Sequence, residues 1–432
     1  MRRFTGFGIV AIIMLLIDLY VFQAIRFLMQ GSSDKARMTV YITYWTISLL
    51  ALGVIIAFPF ITAFQTNKFL RNYVFAVLVG LFFAKLIAVV FFLIDDIRRG
   101  ATWLMGKIFP NTGARFMGED GMAISRSQFL SWLGVGLGTT FLGTFIYGFS
   151  NKYDYSIRRV KLVFNNLPQS FKGMKVVQIS DVHAGSFQNK KAVERGIEMI
   201  MQQQPDIIVF TGDLVNDIAD EMHDYVDVFA KLKAPYGVYS VLGNHDYGDY
   251  YQWKDKDEAH LAREKAAGKK LHSPLQADSI ERLKAIHGKM GWRLLLNEHV
   301  AVQKNGEQVG LLGVENWGAR GFTKYGNLDN AHKGSENYPF KILLSHDPSH
   351  WDAEIRKKYN DIDLTLSGHT HGMQFGIENP YFRWSPVQWV YKQWAGLYEE
   401  GNQKLYVNRG FGFIGYPGRV GILPEITLLE FA

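Results

Sequence analysis

"LTLSGHTHGMQF", residues 364–375, places His369 and His371 one residue apart, directly after an apolar run and a glycine. An exposed imidazole pair does little for stability. Two imidazoles at the end of a buried strand can hold a metal ion, so the reading of this stretch depends on whether other ligands occur in similar places.

They do. "KVVQIS" (175–180) is followed by Asp181 and His183, and "DIIVFTGD" (206–213) ends on Asp213 with Asn216 behind it. "GVYSVLGNHD" (237–246) ends on Asn244, His245 and Asp246, and "KILLSHDP" (341–348) contains His346 and Asp347. Each cluster closes a short apolar run. Helical patterns near 190–203, 219–232 and 277–287 separate the early runs, which predicts an α/β domain with buried strands. "RLLLNEHVAV" and "EQVGLLGVE" predict a hairpin about Asn305-Gly306, and the strand-rich second half predicts a second sheet packed on the first. In open α/β sheets, ligands bind beyond the carboxyl ends of the strands. Five strand ends delivering Asp, His and Asn to one rim therefore predict a metal site. The glycines of "TGD", "LGNHD" and "SGHTH" predict sharp turns there. One D-x-H or G-D alone is an ordinary turn; the ordered set is what points to metal.

The chain has 432 residues and no cysteine, so any metal must be held by nitrogen and oxygen. Its net charge of +7 is unevenly spread: residues 1–150 hold 13 Lys+Arg against 6 Asp+Glu, and residues 151–432 hold 34 of each. A neutral second part lacks the basic excess of a nuclease that tracks phosphate backbones, so no nucleic-acid partner is expected. The first part contains four long apolar stretches, Phe4–Met29, Met38–Phe64, Val74–Ile94 and Phe129–Phe149. Each is near or above the ~20 residues that span hydrocarbon. Charges such as Lys68, Arg71, Arg98, Arg99, Lys107 and Arg115 lie between them. The division expected is a four-helix membrane domain over 1–150 and a catalytic domain over 151–432.

Connector charges balance on the two sides and give no orientation. "SRSQFLSWLGVGLG", from Ser125, resembles a twin-arginine export signal with Ser127 at the second arginine, which favours an extracytoplasmic second domain in a bacterial inner membrane. Two ionisable residues lie inside spans: Asp18 and Lys85 fall within about 5 Å of the same depth at ~1.5 Å per residue, which predicts a buried pair.

The ordered set D-x-H, G-D-x-x-N-D, G-N-H-D, "SHDP" and G-H-T-H, over roughly residues 160–432, resembles the calcineurin-like metallophosphoesterase superfamily. With spans in front, the chain is most similar to its membrane-anchored branch. The resemblance implies a two-sheet α/β sandwich with flanking helices. It also implies two divalent metal ions. Asp181, His183 and His371 would hold one, Asn244, His346 and His369 the other, and Asp213 would bridge both. His245 would protonate the leaving group, with Asp246 behind it. Met373 departs from the branch, which commonly has a second glycine there. Mixed imidazole and carboxylate ligands suit Mn, Fe or Zn. Some related members act on UDP-2,3-diacylglucosamine, so a phosphorylated, lipid-linked substrate and a bilayer partner are expected. The alternatives are a membrane sensor or transport protein that only binds a phosphorylated ligand, or a nuclease, which the neutral second part disfavours. The insert at 247–274 is expected to be a surface excursion or a lid. Trp384, Trp389 and Trp394 are expected in the core or at a bilayer surface.

Overall fold

A computed structural model describes residues 2–58, 60–108, 125–257, 260, 263–264 and 271–432. Arg115 and parts of the 247–274 insert lie outside the described residues. The chain forms two compact units, Met1–Gly148 and Phe149–Ala432.

Among the described residues, the first unit contains four helices long and apolar enough to cross a membrane. They are Arg2–Leu28, Asp34–Ala57, Lys68–Ile108 and Arg126–Tyr147. The third departs from expectation. Its 41 residues rise about 60 Å, twice a hydrocarbon core. Hydropathy ends near Ile94, but the helix continues because Asp95, Arg98 and Ser127 satisfy one another beyond it: Asp95 Oδ1 accepts from Arg98 Nη2 at 2.8 Å and from Ser127 Oγ at 3.0 Å. Ser125 and Gln128 form a reciprocal capping box that starts the fourth helix, so "SRSQ" has a local structural role. Gly134 and Gly138 let this helix approach the third closely: a Cβ on Gly138 would sit 2.4 Å from the Ala84 carbonyl oxygen.

The second unit is a sandwich of two six-stranded sheets. Its strands in chain order are β1 (Ser156–Leu162), β2 (Lys175–Ile179), β3 (Ile207–Phe210), β4 (Val238–Ser240), β5 (Arg293–Leu294), β6 (Glu298–Lys304), β7 (Glu307–Gly313), β8 (Lys341–Leu344), β9 (Leu364–Ser367), β10 (Ile377–Glu378), β11 (Arg383–Trp384), β12 (Gly396–Glu400), β13 (Gln403–Val407) and β14 (Glu425–Phe431). One sheet has the order β1-β14-β2-β3-β4-β5 and the other β12-β13-β9-β8-β7-β6; β10 and β11 form a small ribbon. Strands β2 to β5 run parallel, as do β7, β8, β9 and β13.

Facing side chains such as Val176, Val209, Leu311, Leu344, Leu366 and Phe431 fill the space between the sheets. The helix Lys190–Met201 lays Val193, Ile197 and Ile200 on the outer face of the first sheet, the spacing of a helical stripe. Trp351, Ile355 and Leu328 cover the outer face of the second. The expected hairpin is present, with Asn305 and Gly306 both at positive φ and Lys304 paired to Glu307. The run before it is split. Asn297, at φ +60°, breaks "RLLLNEHVAV" into β5 of one sheet and β6 of the other. The pattern at 219–232 forms only a short 3-10 segment and one helical turn.

Candidate metal centre

The parallel strands of both sheets end at the same rim, and the loops leaving β2, β3, β4, β8 and β9 carry the candidate ligands. Among the described residues, ten non-glycine positions have φ in the left-handed region, and five of them are Asp181, His183, Asp213, His369 and His371. Such conformations cost roughly 1–3 kcal/mol each and persist where surrounding structure enforces them. Half of these strained positions are therefore candidate ligands.

Two close approaches explain the glycines. Gly212 has φ +98°, and a Cβ there would meet Gly243 N at 2.6 Å and His346 Nδ1 at 2.8 Å. Gly368 is needed for room: a Cβ would lie 1.9 Å from Ser180 Oγ and 2.2 Å from Asp181 Oδ2. That contact lets the Asp181 carboxylate accept the His369 amide at 3.0 Å, which ties the G-H-T-H loop to the first strand.

Two groups of ligand atoms result. Asp181, His183 and His371 form one, and Asp213, His346 and His369 the other, each with all ligand atoms within 4.8 Å of one another. In the first, His183 Nε2 and His371 Nε2 face each other at 3.0 Å, and His371 Nε2 lies 3.3 Å from Asp181 Oδ1. In the second, His369 Nδ1 lies 2.8 Å from Asn244 Oδ1 and 3.2 Å from His346 Nε2. Asn244 Nδ2 donates to Tyr250 OH at 3.0 Å, which turns the amide oxygen toward the histidines. Asp213 Oδ2 stands between the groups, 3.1 Å from His346 Nε2 and 3.7 Å from His183 Nε2. Imidazole nitrogens converging at these distances beside carboxylates form a donor set that divalent cations take up.

The electrostatics agree. Burial pushes the Asp213 carboxyl up, but His346 and His245 outweigh it and hold it well below the usual carboxylate range. Burial likewise opposes charge on Asp181, and the His371 imidazole reverses it. Burial opposes a proton on His346, yet Asp213 and Asp181 push it up to about 10. The carboxylates thus demand positive charge at this point, which either a proton or a metal can supply.

Behind the ligands, His346 Nδ1 donates to the Thr211 carbonyl at 2.7 Å, and His369 Nε2 lies 2.8 Å from Tyr391 OH. His245 stands at the rim, its ring centroid 4.9 Å from that of His183. Its Nδ1 donates to the Asn216 carbonyl at 2.7 Å. Asp246 does not back this imidazole. Its carboxylate accepts the amides of Asp213 at 2.9 Å, Leu214 at 2.8 Å and Gly243 at 2.8 Å. The chain turns after Asn244 into a short 3-10 segment, in which consecutive side chains diverge by roughly 120°. Asp246 therefore clamps two ligand loops together, and Asn216 orients His245 through its backbone. Tyr391 and Tyr250 were not singled out as site residues in the sequence, because neither follows a strand.

A sandwich whose strand ends deliver two neighbouring carboxylate–imidazole groups has the arrangement expected of a dinuclear metal site. A family model described as calcineurin-like phosphoesterase matches residues 174–373. Another, described as the transmembrane domain of a probable calcineurin-like phosphoesterase, matches residues 1–152. The uncharacterized metallophosphoesterase YkuE of Bacillus subtilis is 29% identical over 277 residues, covering 61% of this chain and 80% of that protein. A transmembrane protein with metallophosphoesterase domain from Danio rerio is 27% identical over 278 residues, covering 62% of this chain and 55% of its own length. The chain thus spans little more than half of the fish relative. Among solved structures, the sulfate thiohydrolase SoxB of Thermus thermophilus is 12% identical with a TM-score of 0.34, over 61% of this chain and 57% of that one, a likeness too slight to carry a conclusion. The chain belongs to the calcineurin-like phosphoesterases, in their membrane-anchored branch, and is a membrane protein.

Proposed function

We propose that this chain hydrolyses phosphate ester or pyrophosphate bonds of a lipid-linked substrate, a phospho(glyco)lipid or a nucleotide-linked lipid such as UDP-2,3-diacylglucosamine. The observation that carries hydrolysis is the position of Asp213 Oδ2 between His183 and His346, with His245 at the rim. Two divalent ions of the Mn, Fe or Zn type would supply charge neutralisation at the phosphate oxygens and a lowered pKa for a shared water. The chain's own residues do the rest. Asp181, His183 and His371 would hold one ion, and Asn244, His346 and His369 the other. The Asn216 carbonyl holds the Nδ1 proton of His245, which leaves Nε2 to deliver a proton to the departing oxygen. Asp246 keeps the Asp213 and Asn244 loops in register.

The lipid-linked substrate is supported by the four apolar helices preceding the domain. The support for a bacterial inner membrane and an extracytoplasmic domain is the "SRSQ" resemblance; a UDP-linked lipid would require the opposite side. Protease access in intact cells decides between the two.

The test of hydrolysis uses the full chain in detergent, with metal content and turnover of bis(p-nitrophenyl) phosphate measured together under Mn²⁺. Two ions per chain with turnover support the reading. Two ions without turnover on any phosphoester would replace it with the ligand-binding sensor.

A further inference from the structure

Residues 373–390 leave an unusual set of side chains in solvent. Met373, Ile377, Tyr381, Phe382, Trp389 and Val390 are all exposed, Tyr381 by 98% and Trp389 by 74%. Six large apolar groups within 18 residues far exceed the scatter normal for a protein surface. The segment is not loose. Ser385 Oγ donates to the Gly372 carbonyl at 2.8 Å, and Trp384 packs edge-on against Trp389 at 6.0 Å. Val387, Tyr391, Trp394 and Ile422 form a small buried core beneath it. Of the three tryptophans weighed in the sequence, Trp394 belongs to that core and Trp389 to the exposed edge.

Met373 sharpens the point. It occupies φ +56°, a left-handed conformation that glycine adopts without cost. Its side chain nevertheless stays 57% exposed.

Two relationships say what covers this edge. The first is its place on the domain. Phe149 follows the fourth membrane helix almost directly, and its ring lies 5.6 Å from Tyr416. The Tyr416 carbonyl accepts from Gln374 Nε2 at 2.7 Å, and the Val420 carbonyl accepts the Gly376 amide at 2.9 Å. Phe149, the first residue of the second unit, and the root of the apolar edge therefore share one loop system. The second is its link to the metal centre. The edge begins two residues after His371 and ends beside Tyr391, whose hydroxyl meets His369. Lys392, exposed next to it, adds a cation of the kind that favours an anionic membrane surface. Trp and Tyr are enriched at that boundary.

We infer that the edge formed by residues 373–390 docks into the headgroup region of the lipid bilayer and presents the metal centre to phosphate groups of lipids still seated in the leaflet. The substrate class is then an amphiphile with its scissile phosphate at the membrane surface. The docking itself rests on the exposed edge and its tether. Only the substrate clause rests on the hydrolase reading.

The absence of cysteine allows single-site labelling of the full chain. Tyr381→Cys, Trp389→Cys and, as a control, Val163→Cys are labelled with bimane in nanodiscs of phosphatidylcholine and phosphatidylglycerol. Val163 is exposed and follows the far end of β1. Quenching by phospholipids carrying doxyl at acyl position 5 is compared with quenching by aqueous iodide. We expect doxyl lipid to quench positions 381 and 389 at least threefold more than position 163, and iodide to do the reverse. Iodide access at 381 and 389 without doxyl quenching overturns the inference. Protection from both quenchers also overturns it, because a protein partner then covers the edge. A second variant, Tyr381→Ser with Phe382→Ser and Trp389→Ser, should lower turnover of a vesicle-borne phospholipid ester about tenfold or more and leave the soluble aryl diester within twofold. Equal loss of both overturns the presentation role. Doxyl quenching in a protein without phosphoesterase activity would fail the hydrolase reading while the docking surface stands.

Discussion

Lys85 donates to Asp18 Oδ1 inside the membrane unit, where the same oxygen accepts from Ser48 Oγ at 2.7 Å and Tyr44 OH at 2.9 Å. Three helices thus meet at one carboxylate, and Lys85 Nζ also reaches Ser48 Oγ at 3.0 Å. Breaking a buried pair leaves an uncompensated charge, worth roughly 3–5 kcal/mol. Asp18→Lys and Lys85→Asp should each cut the folded yield in membranes several-fold, and the double exchange should recover much of it. Size-exclusion yield after detergent extraction measures this. A double variant no better than the worse single would mean that the two charges do not act as a pair.

Asp213 Oδ2 lies 3.7 Å from His183 Nε2 of one group and 3.1 Å from His346 Nε2 of the other. Asp213→Asn removes the shared charge, so both ions should weaken together. Metal content should fall from two per chain toward zero, and turnover of the aryl diester should drop by a factor of about 10² or more. Loss of one ion alone would assign Asp213 to a single site.

His245 and Asp246 are neighbours with different expected phenotypes. His245→Ala should keep both metals and slow the reaction by about 10²–10⁴, least for substrates with good leaving groups such as p-nitrophenolate. Asp246→Ala should behave as a loop defect. It leaves three close backbone amides without their acceptor, at roughly 1–3 kcal/mol for each buried group. Lower melting temperature and lower metal content, with equal rate loss across leaving groups, are expected. Metal loss in His245→Ala would contradict its assignment as a proton donor.

The contrast between these two residues shows what the sequence carries. Asp181, His183, Asp213, His346, His369 and His371 were legible because each follows a buried run, and strand direction brings such positions together. The sandwich was legible for the same reason. The orienting acceptor of His245 was not, because it is a backbone carbonyl of Asn216 and has no side-chain signature. Asp246 adjoins His245 in sequence, but its carboxylate turns to backbone amides instead, which sequence adjacency does not encode. The apolar stretch ends near Ile94, since charges lower hydropathy, whereas the third membrane helix continues to Ile108 with Asp95, Arg98 and Ser127 paired. Tyr391 reaches His369 from 22 positions further along the chain, a contact that no local pattern encodes.

A pH prediction follows from a histidine outside the metal centre. His287 is fully buried in the helix Pro274–Lys289, its Nδ1 2.9 Å from Ser240 Oγ and its ring 5.8 Å from Trp292. Burial pushes its pKa down to about 3, against an ordinary value of 6.5. Between these values the unfolded chain binds a proton that the folded chain refuses. The stability contributed by the neutral ring is therefore complete above pH 6.5 and is lost progressively as pH falls toward 3. One such group adds a slope of at most about 1.4 kcal/mol per pH unit. His287→Phe keeps an aromatic ring without the titration, so its stability should depend less steeply on pH between 6 and 4, whatever its absolute value at pH 7. Thermal unfolding of the full chain in detergent, with chelator in every sample to remove metal effects, reads this out. Parallel pH profiles for the wild type and His287→Phe would show that the buried imidazole does not set the acid limit of the domain.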